Sequence, residues 1–472
     1  MTLRLTVVGG GPGGYEAAFA AARAGLQVTL VESDAMGGTC LNRGCIPTKA
    51  LKASAEALET IHRHAEFGLT GTCAITPDPN AIMARKDKIC ATLRGGLEKT
   101  CSRLGIRLLQ GRGTVVRSGL VRVVDRDGTS SDVESDHIIL APGSSTLNLP
   151  ALPVDHVHII SSDDALCLSR LPARMVIVGG GVIGCEMAGI FRSFGVNVTL
   201  VEGLNRLLPL PSVDEEVSKL LLREFKKKGI ACEIGRTVQS AEIRNETVHV
   251  KLGPSPFLSE HSAAQKKETE LETDVVLVCV GRVPNTEGLG LKEAGVATDA
   301  RGWIVTDDKL RTSLEGCLAI GDVLGPSKVM LAHVASAEAL VAVDVCLGKD
   351  TGMDYSVIPS AIFTTPEIGC VGLSEEQARN AGMDIAVSVF QMRELGKAQA
   401  MSELAGMFKV ITDRTTDRLL GVHIAGAHAS DLIAEATLAL RTGATSRTLW
   451  RTIHAHPTLA EGLHEAMLNF QA

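Results

Sequence analysis

The chain carries the same strand–turn–helix–strand device twice, and that repetition restricts the folds open to it. Val8-Gly9-Gly10-Gly11-Pro12-Gly13-Gly14 sets Gly9, Gly11 and Gly14 at G-x-G-x-x-G spacing directly after the run Leu3 to Val8, and Glu32 closes the next apolar run. The pattern returns at Gly179, Gly181 and Gly184, followed by Val198-Thr199-Leu200-Val201-Glu202. In both copies the carboxylate stands 23 residues after the first glycine. Such glycines let the backbone turn tightly and approach a pyrophosphate at a helix N-terminus, while the terminal carboxylate can hold a ribose hydroxyl pair. One motif of this kind is a weak signal, often only a tight turn. Two copies with matching acidic ends predict an α/β chain with two Rossmann-like dinucleotide-binding domains.

Between the copies lies Gly37-Gly38-Thr39-Cys40-Leu41-Asn42-Arg43-Gly44-Cys45-Ile46-Pro47-Thr48-Lys49. Five residues of regular helix rise about 7.5 Å, too far for a relaxed disulfide. Pro47 suits a helix's first turn, so the helix is expected to start near it and to run on through Glu56. Cys40 and Cys45 then fall in an irregular turn or distorted first turn, where a bridge can close and the helix's positive end can stabilise a thiolate. Two ordinary buried thiols remain the alternative for this spacing alone. Two nucleotide sites with a dithiol between them imply electron traffic.

The chain resembles the flavin-dependent pyridine nucleotide–disulfide oxidoreductases over nearly its whole length. The resemblance runs through the cysteine segment, Ala141-Pro142-Gly143-Ser144, Val280-Gly281-Arg282-Val283-Pro284-Asn285, and Thr312-Ser313 to Ala319-Ile320-Gly321-Asp322. It continues through Met330-Leu331-Ala332-His333 to His454-Ala455-His456-Pro457-Thr458-Leu459-Ala460-Glu461. It implies FAD at the first fingerprint, with Gly9, Gly11 and Gly14 at the pyrophosphate and Glu32 at the adenosine ribose. Lys49 is then expected beside the flavin, Gly113 and Ser144 bordering the cofactor, Asp322 on its sugar-alcohol chain, and the Ala332 amide on the flavin's pyrimidine side. NAD is expected at Gly181, Gly184 and Glu202, bordered by Gly281, with Glu186 paired to Lys49. A carboxylate at the Glu202 position favours NAD over NADP; glutathione reductases tend to place arginines there, and Arg206 is close.

The same resemblance gives the thiols distinct parts: a redox disulfide in which Cys40 exchanges with substrate and Cys45 lies against the flavin. A base must take the incoming thiol's proton, and a histidine suits the task. Chemistry leaves His454 and His456 open; the family pattern places the base before Pro457, oriented by Glu461, across a cis bond, and acting on the partner subunit of a homodimer with shared sites. The expected reaction is oxidation of protein-bound dihydrolipoamide to lipoamide with electrons passed to NAD. The lipoyl-bearing partner would belong to a 2-oxo acid dehydrogenase or glycine cleavage complex. Glutathione-type reduction is the runner-up, and a non-catalytic flavoprotein subunit is a third reading. Mercuric or thioredoxin reductases carry a C-terminal redox centre, whereas the last cysteine here is Cys370. The stretch Gln391 to Met401 and Ala460 depart from the family pattern and touch substrate detail only.

Composition agrees. At 472 residues the chain has room for about three domains. The expected layout is a first nucleotide domain over 1–146 with Gln110 to Val116 and His137 to Leu140 as later strands, an inserted second one over 147–276, and a return to the first over 277–350. An α+β dimerisation domain over 351–472 completes it. The turn-rich stretch 253–267 reads as an exposed hairpin excursion without assigned function. Net charge of −7 and 3% aromatics argue against nucleic acid as a partner. Charges interrupt every apolar run short of the ~18 residues of a membrane span. Twelve cysteines in this length suit reduced thiols around one catalytic bridge, hence a cytoplasmic setting without signal or transit peptide. No metal is expected.

Overall fold

The computed structural model describes residues 2–71 and 74–470. Both fingerprints fold as predicted. Strand Arg4–Val8 leads into helix Pro12–Arg23 and strand Gln27–Glu32, and strand Arg174–Val178 leads into helix Val182–Ser193 and strand Asn197–Glu202. Each trio seeds a five-stranded parallel sheet. The first has the order Cys317–Ala319, His137–Leu140, Arg4–Val8, Gln27–Glu32, Arg107–Gln110; the second Ala231–Ile234, Asn197–Glu202, Arg174–Val178, Val275–Val278, Ile159–Ser161. The fingerprint strand is central in both, and Leu5, Val7, Met175 and Ile177 are fully buried, as strands covered on both faces require.

The halves share a further feature. Before the later strand that pairs with the fingerprint strand, His137–Leu140 in the first half and Val275–Val278 in the second, each chain segment detours through a three-stranded antiparallel sheet: Arg112–Arg117, Leu120–Val124 and Ser130–Glu134 in the first, Arg236–Arg244, Thr247–Pro254 and Thr269–Thr273 in the second. The single strand expected over Gln110 to Val116 is therefore two, in different sheets. The break falls at Gly111, where a Cβ would lie 2.6 Å from the Val124 carbonyl oxygen, so only glycine passes the crossing point. The 253–267 excursion does join a hairpin, between Thr247–Pro254 and Thr269–Thr273, with a short helix Ala263–Lys266 capped by Ser262 and Gln265.

The C-terminal part is α+β as expected. Its antiparallel sheet has the order Ser360–Ile362, Glu367–Gly372, Leu419–Gly426, Met407–Asp413, Ile385–Gln391, and helix Ala429–Arg441 packs on it through Ile433 and Ala436. The chain divides into two compact units. One comprises Met1–Ala50, Ala81–Leu147 and Gly281–Tyr355 and holds the first parallel sheet; the other comprises Leu51–Asn80, Asn148–Val280 and Ser356–Ala472 and holds the second parallel sheet and the C-terminal sheet. No described helix is long and apolar enough to cross a membrane.

Candidate active site

The two glycine turns are built to one plan. Gly9 and Gly179 have φ of 105° and 107°, and a Cβ on either would strike a carbonyl oxygen, Ala141 at 2.1 Å or Cys279 at 2.4 Å. A Cβ on Gly14 or Gly184 would lie 1.7 or 1.9 Å from the carbonyl oxygen of the first glycine, so the helix can start hard against the strand only with glycine there. Gly11 and Gly181 cap their helices, and neither cap has a side-chain hydrogen bond. The first-turn N–H groups are thus left to an anion, which is the requirement for a pyrophosphate. Glu32 and Glu202 are buried and placed alike. Glu32 accepts from Gly10 N–H and Asp34 N–H, both at 2.7 Å; Glu202 accepts from Gly180 N–H at 2.6 Å and Leu204 N–H at 2.7 Å. Each carboxylate keeps lone pairs for a ribose, so the residues present fit a dinucleotide at both turns.

Around the first turn the cysteine segment is docked directly. Gly37 N–H donates to Gly10 carbonyl oxygen at 2.8 Å, and a Cβ on Gly38 would lie 2.7 Å from Gly11 Cα. Here the structure corrects the expected helix start. Cys40 sits within a short helix, Gly38–Arg43, and Cys45 is the first residue of helix Cys45–His62, with the break at Gly44 (φ −141°, ψ −112°). Pro47 does lie in the first turn, but that turn opens two residues earlier, because a proline is tolerated anywhere its missing N–H would have no helical partner. Thr48 hydroxyl donates to Gly44 carbonyl oxygen at 2.6 Å and Asn42 Nδ2 to those of Met36 and Gly38 at 3.1 and 2.9 Å, which pins the segment.

Cys40 and Cys45 carry thiols in this structure. A hydrogen bond to the Cys45 sulfur holds the Cys40 thiol well above its ordinary value, burial and negative charge on Cys45 add to this, and the Lys49 ammonium opposes it. Cys40 therefore holds its proton more tightly than an isolated thiol, and Cys45 is the first residue of a helix. Tyr15, one turn into the fingerprint helix, also senses the pair. Burial first, then Glu16, Cys40 and Cys45 push its hydroxyl up to about 12.

Ser144 and Asp322 are brought together, Ser144 Oγ donating to Asp322 Oδ2 at 2.6 Å. Arg282, not foreseen from the sequence, completes a triad: its Nε donates to Ser144 Oγ and its Nη2 to Ser144 carbonyl oxygen, both at 2.6 Å. Asn285 Nδ2 donates to Pro142 carbonyl oxygen at 2.9 Å. Both residues lie inside a motif that the sequence singled out, and their polar type was the available signal. Ala332 opens helix Ala332–Cys346, whose cap Leu331 makes no side-chain hydrogen bond, so its amide sits among outward-pointing N–H groups. Gly113 is a packing position; a Cβ there would press on Val8 Cγ1 at 3.1 Å.

At the second turn, Arg206 is committed elsewhere. Its Nη1 donates to Val213 carbonyl oxygen at 2.8 Å and its Nη2 to that of Leu210 at 3.1 Å. Glu186 is buried on helix Val182–Ser193, and its Oε1 accepts from Phe363 N–H at 2.9 Å. Gly281 adopts φ 140° before strand Arg282–Pro284.

The two histidines separate clearly. His456 Nδ1 lies 2.8 Å from Glu461 Oε1, its side chain is 77% exposed, and the bond to Pro457 is cis. Glu461 also accepts from Thr458 N–H at 2.8 Å, and that bond, with His456, draws its carboxyl below the usual range. His454 has only 7% of its side chain exposed and both ring nitrogens engaged, with Thr452 carbonyl oxygen and Glu435 Oε1, each at 2.9 Å. His454 is a structural residue, and His456 is the ring presented to solvent.

A glycine-cradled pair of dinucleotide turns with a dithiol docked on one of them defines a flavin- and nicotinamide-dependent dithiol oxidoreductase. Residues 3–339 match the family model described as pyridine nucleotide-disulphide oxidoreductase, and residues 358–467 match that family's dimerisation domain. The chain belongs to the pyridine nucleotide-disulphide oxidoreductases, and its cofactors are FAD and NAD. It is 40% identical to a dihydrolipoyl dehydrogenase of Chlamydia muridarum, over 98% of this chain and 95% of that one. It is 38% identical to a leghemoglobin reductase of Vigna unguiculata, over 98% and 87%. Among solved structures it is similar to LpdA from Mycobacterium tuberculosis, with a TM-score of 0.90, 26% identity and full coverage of both chains.

Proposed function

We propose that the chain oxidises protein-bound dihydrolipoamide to lipoamide and reduces NAD, as a homodimer in the cytoplasm serving a lipoyl-bearing protein of a 2-oxo acid dehydrogenase or glycine cleavage complex. The observation that carries this reading is the docking of the Cys40–Cys45 segment on the Gly9–Gly14 turn, in a chain similar over nearly its full length to dihydrolipoyl dehydrogenases. In the oxidised enzyme Cys40 and Cys45 form a disulfide. His456 takes the proton of one substrate thiol, and the resulting thiolate attacks Cys40 Sγ, breaking its bond to Cys45, which leaves as a thiolate. The second substrate thiol then attacks the substrate sulfur of the mixed disulfide, closing the lipoamide ring; the bond to Cys40 breaks and Cys40 takes up that thiol's proton. Glu461 holds the His456 ring and stabilises its charged form. FAD, when bound, would supply the two-electron acceptor that links the dithiol to NAD.

In this reading Gly9, Gly11, Gly14 and Glu32 hold the FAD pyrophosphate and ribose, and the Ser144–Asp322–Arg282 triad fixes its sugar-alcohol side. Lys49 would add positive charge near the flavin, and the Ala332 amide would serve its pyrimidine side. Gly181, Gly184 and Glu202 hold NAD. Glutathione-type chemistry is disfavoured by the commitment of Arg206 to backbone carbonyls, which leaves a 2′-phosphate without that cation. The holoenzyme should develop a broad long-wavelength absorbance on two-electron reduction by dihydrolipoamide, from the Cys45 thiolate beside the flavin. Cys45→Ser should lose the band, and Cys40→Ser should show it without any reductant, because its Cys45 has no partner to bridge. A band that survives Cys45→Ser, or faster turnover of glutathione than of dihydrolipoamide, refutes the reading.

A further inference from the structure

We propose that Phe257, in the 253–267 excursion, is the aromatic platform on which the adenine of the nicotinamide dinucleotide stacks. The proposal rests on the reading of Gly181, Gly184 and Glu202 as the NAD site. Its first support is position. Gly203 follows Glu202 at the end of strand Asn197–Glu202, and a Cβ built on Gly203 would lie 2.9 Å from Phe257 Cδ2 and 3.2 Å from Cε2. The ring thus lies on the backbone one residue past the carboxylate that takes the ribose, within the span of one nucleoside. A side chain at position 203 would displace it.

The second support is exposure. Phe257 is 69% exposed although it sits on folded backbone, so most of its surface remains for another flat group. The third is anchorage, which a loose surface turn would lack. Ser255 is buried; its N–H donates to Gly235 carbonyl oxygen at 3.2 Å, and its hydroxyl accepts from Phe257 N–H at 3.2 Å. His261 Nε2 lies 2.8 Å from Ser255 carbonyl oxygen, and Gln265 Nε2 donates to Ile234 carbonyl oxygen at 3.0 Å. Arg236, buried, donates through Nη2 to Lys267 carbonyl oxygen. The excursion is clamped at both ends to the turn between strands Ala231–Ile234 and Arg236–Arg244, and the clamp holds one aromatic ring in water beside the ribose carboxylate. A neutral aromatic face next to a carboxylate suits an uncharged base rather than an anion, because stacking needs area and no counter-charge.

Calorimetric titration of the FAD-loaded, full-length protein with NAD, ADP-ribose and nicotinamide mononucleotide tests this. Phe257→Ala and Phe257→Leu should each weaken NAD and ADP-ribose about tenfold, Phe257→Tyr should stay within about twofold of the unmodified protein, and nicotinamide mononucleotide should be indifferent to all three. FAD content and melting midpoint should not move. Unchanged ADP-ribose affinity in Phe257→Leu, with Glu202→Ala still weakening it, overturns the platform and leaves the NAD site standing. No ADP-ribose binding by the unmodified protein overturns both.

Discussion

Replacing Glu202 should collapse the preference for NADH over NADPH, and the structure sets the size of the effect. The buried carboxylate spends one lone pair of each oxygen on Gly180 and Leu204 N–H groups, at 2.6 and 2.7 Å, leaving one direction per oxygen for a ribose hydroxyl. Hydrogen bonds to a charged acceptor contribute about 1.5–3 kcal/mol each. A 2′-phosphate removes one of them and brings a like charge alongside, which costs about 3–4 kcal/mol for unit charges about 4–6 Å apart at an effective dielectric near 20. Arg206 offers no relief, since its guanidinium is bound to Val213 and Leu210 carbonyl oxygens. After solvent screening, a net of about 4 kcal/mol corresponds to a roughly 10³-fold preference in kcat/KM. Glu202→Ala removes both hydroxyl acceptors and the repulsion together. NADH kcat/KM should fall about 100-fold and the preference should shrink to about tenfold or less. The assay is steady-state lipoamide reduction with each nucleotide, with melting midpoints recorded to isolate the cost of stranding two N–H groups. Near-equal kcat/KM for the two nucleotides in the unmodified protein, or an unchanged ratio in the variant, refutes the reasoning.

His456→Gln should slow dihydrolipoamide oxidation by at least ~100-fold while sparing NADH oxidation by artificial acceptors, whereas His454→Gln should lower the melting midpoint and leave turnover nearly intact. Equal loss of both activities in His456→Gln would assign it a folding or dimerisation role. Lys409→Met should destabilise the fold by about 3 kcal/mol at pH 7, because Lys409 is buried against Asp214 Oδ1 at 2.9 Å, Glu375 Oε2 at 2.7 Å and Glu216 Oε2 at 3.1 Å. Burial alone would raise the Asp214 carboxyl, but the hydrogen bond from Lys409 and that from Glu216 N–H leave it below the usual range; Glu375 is drawn down first by Lys409. Lowered carboxyls contribute stability that is present above their unfolded values, about 4, and is lost as pH falls through the native ones. The difference between the two proteins in urea unfolding should therefore be largest near neutrality and shrink below about pH 4; a difference independent of pH contradicts this.

What the sequence disclosed, and what it hid, follows the range of the forces involved. The glycine turns were legible because their constraint is local: a positive φ at Gly9 and a Cβ clash between Gly14 and Gly9 are set within six residues. The start of the helix at Cys45 was not, since Pro47 is compatible with any register that keeps it in the first turn. Chemistry left His454 and His456 open because Glu435, which engages the His454 ring, lies on helix Ala429–Arg441, distant in sequence. Lys409 sits in the otherwise apolar run Met407 to Ile411, and its counter-charge Asp214 comes from far along the chain. The excursion reads from its composition only as exposed and turn-rich, whereas backbone acceptors such as Gly235 and Ile234 hold it, which composition cannot reveal.

The duplicated turn carries that lesson into function. Gly11 and Gly181 cap their helices at φ −72° and −73°, so local sequence and local geometry leave the two sites equivalent. What lies over them is different. Gly38 is packed on Gly11 by the cysteine segment, while a Cβ on Gly181 would meet nothing within 4 Å. Of the two turns, the first has the dithiol segment packed on it. The difference between the two turns thus comes from the segment that follows each copy rather than from the copy itself.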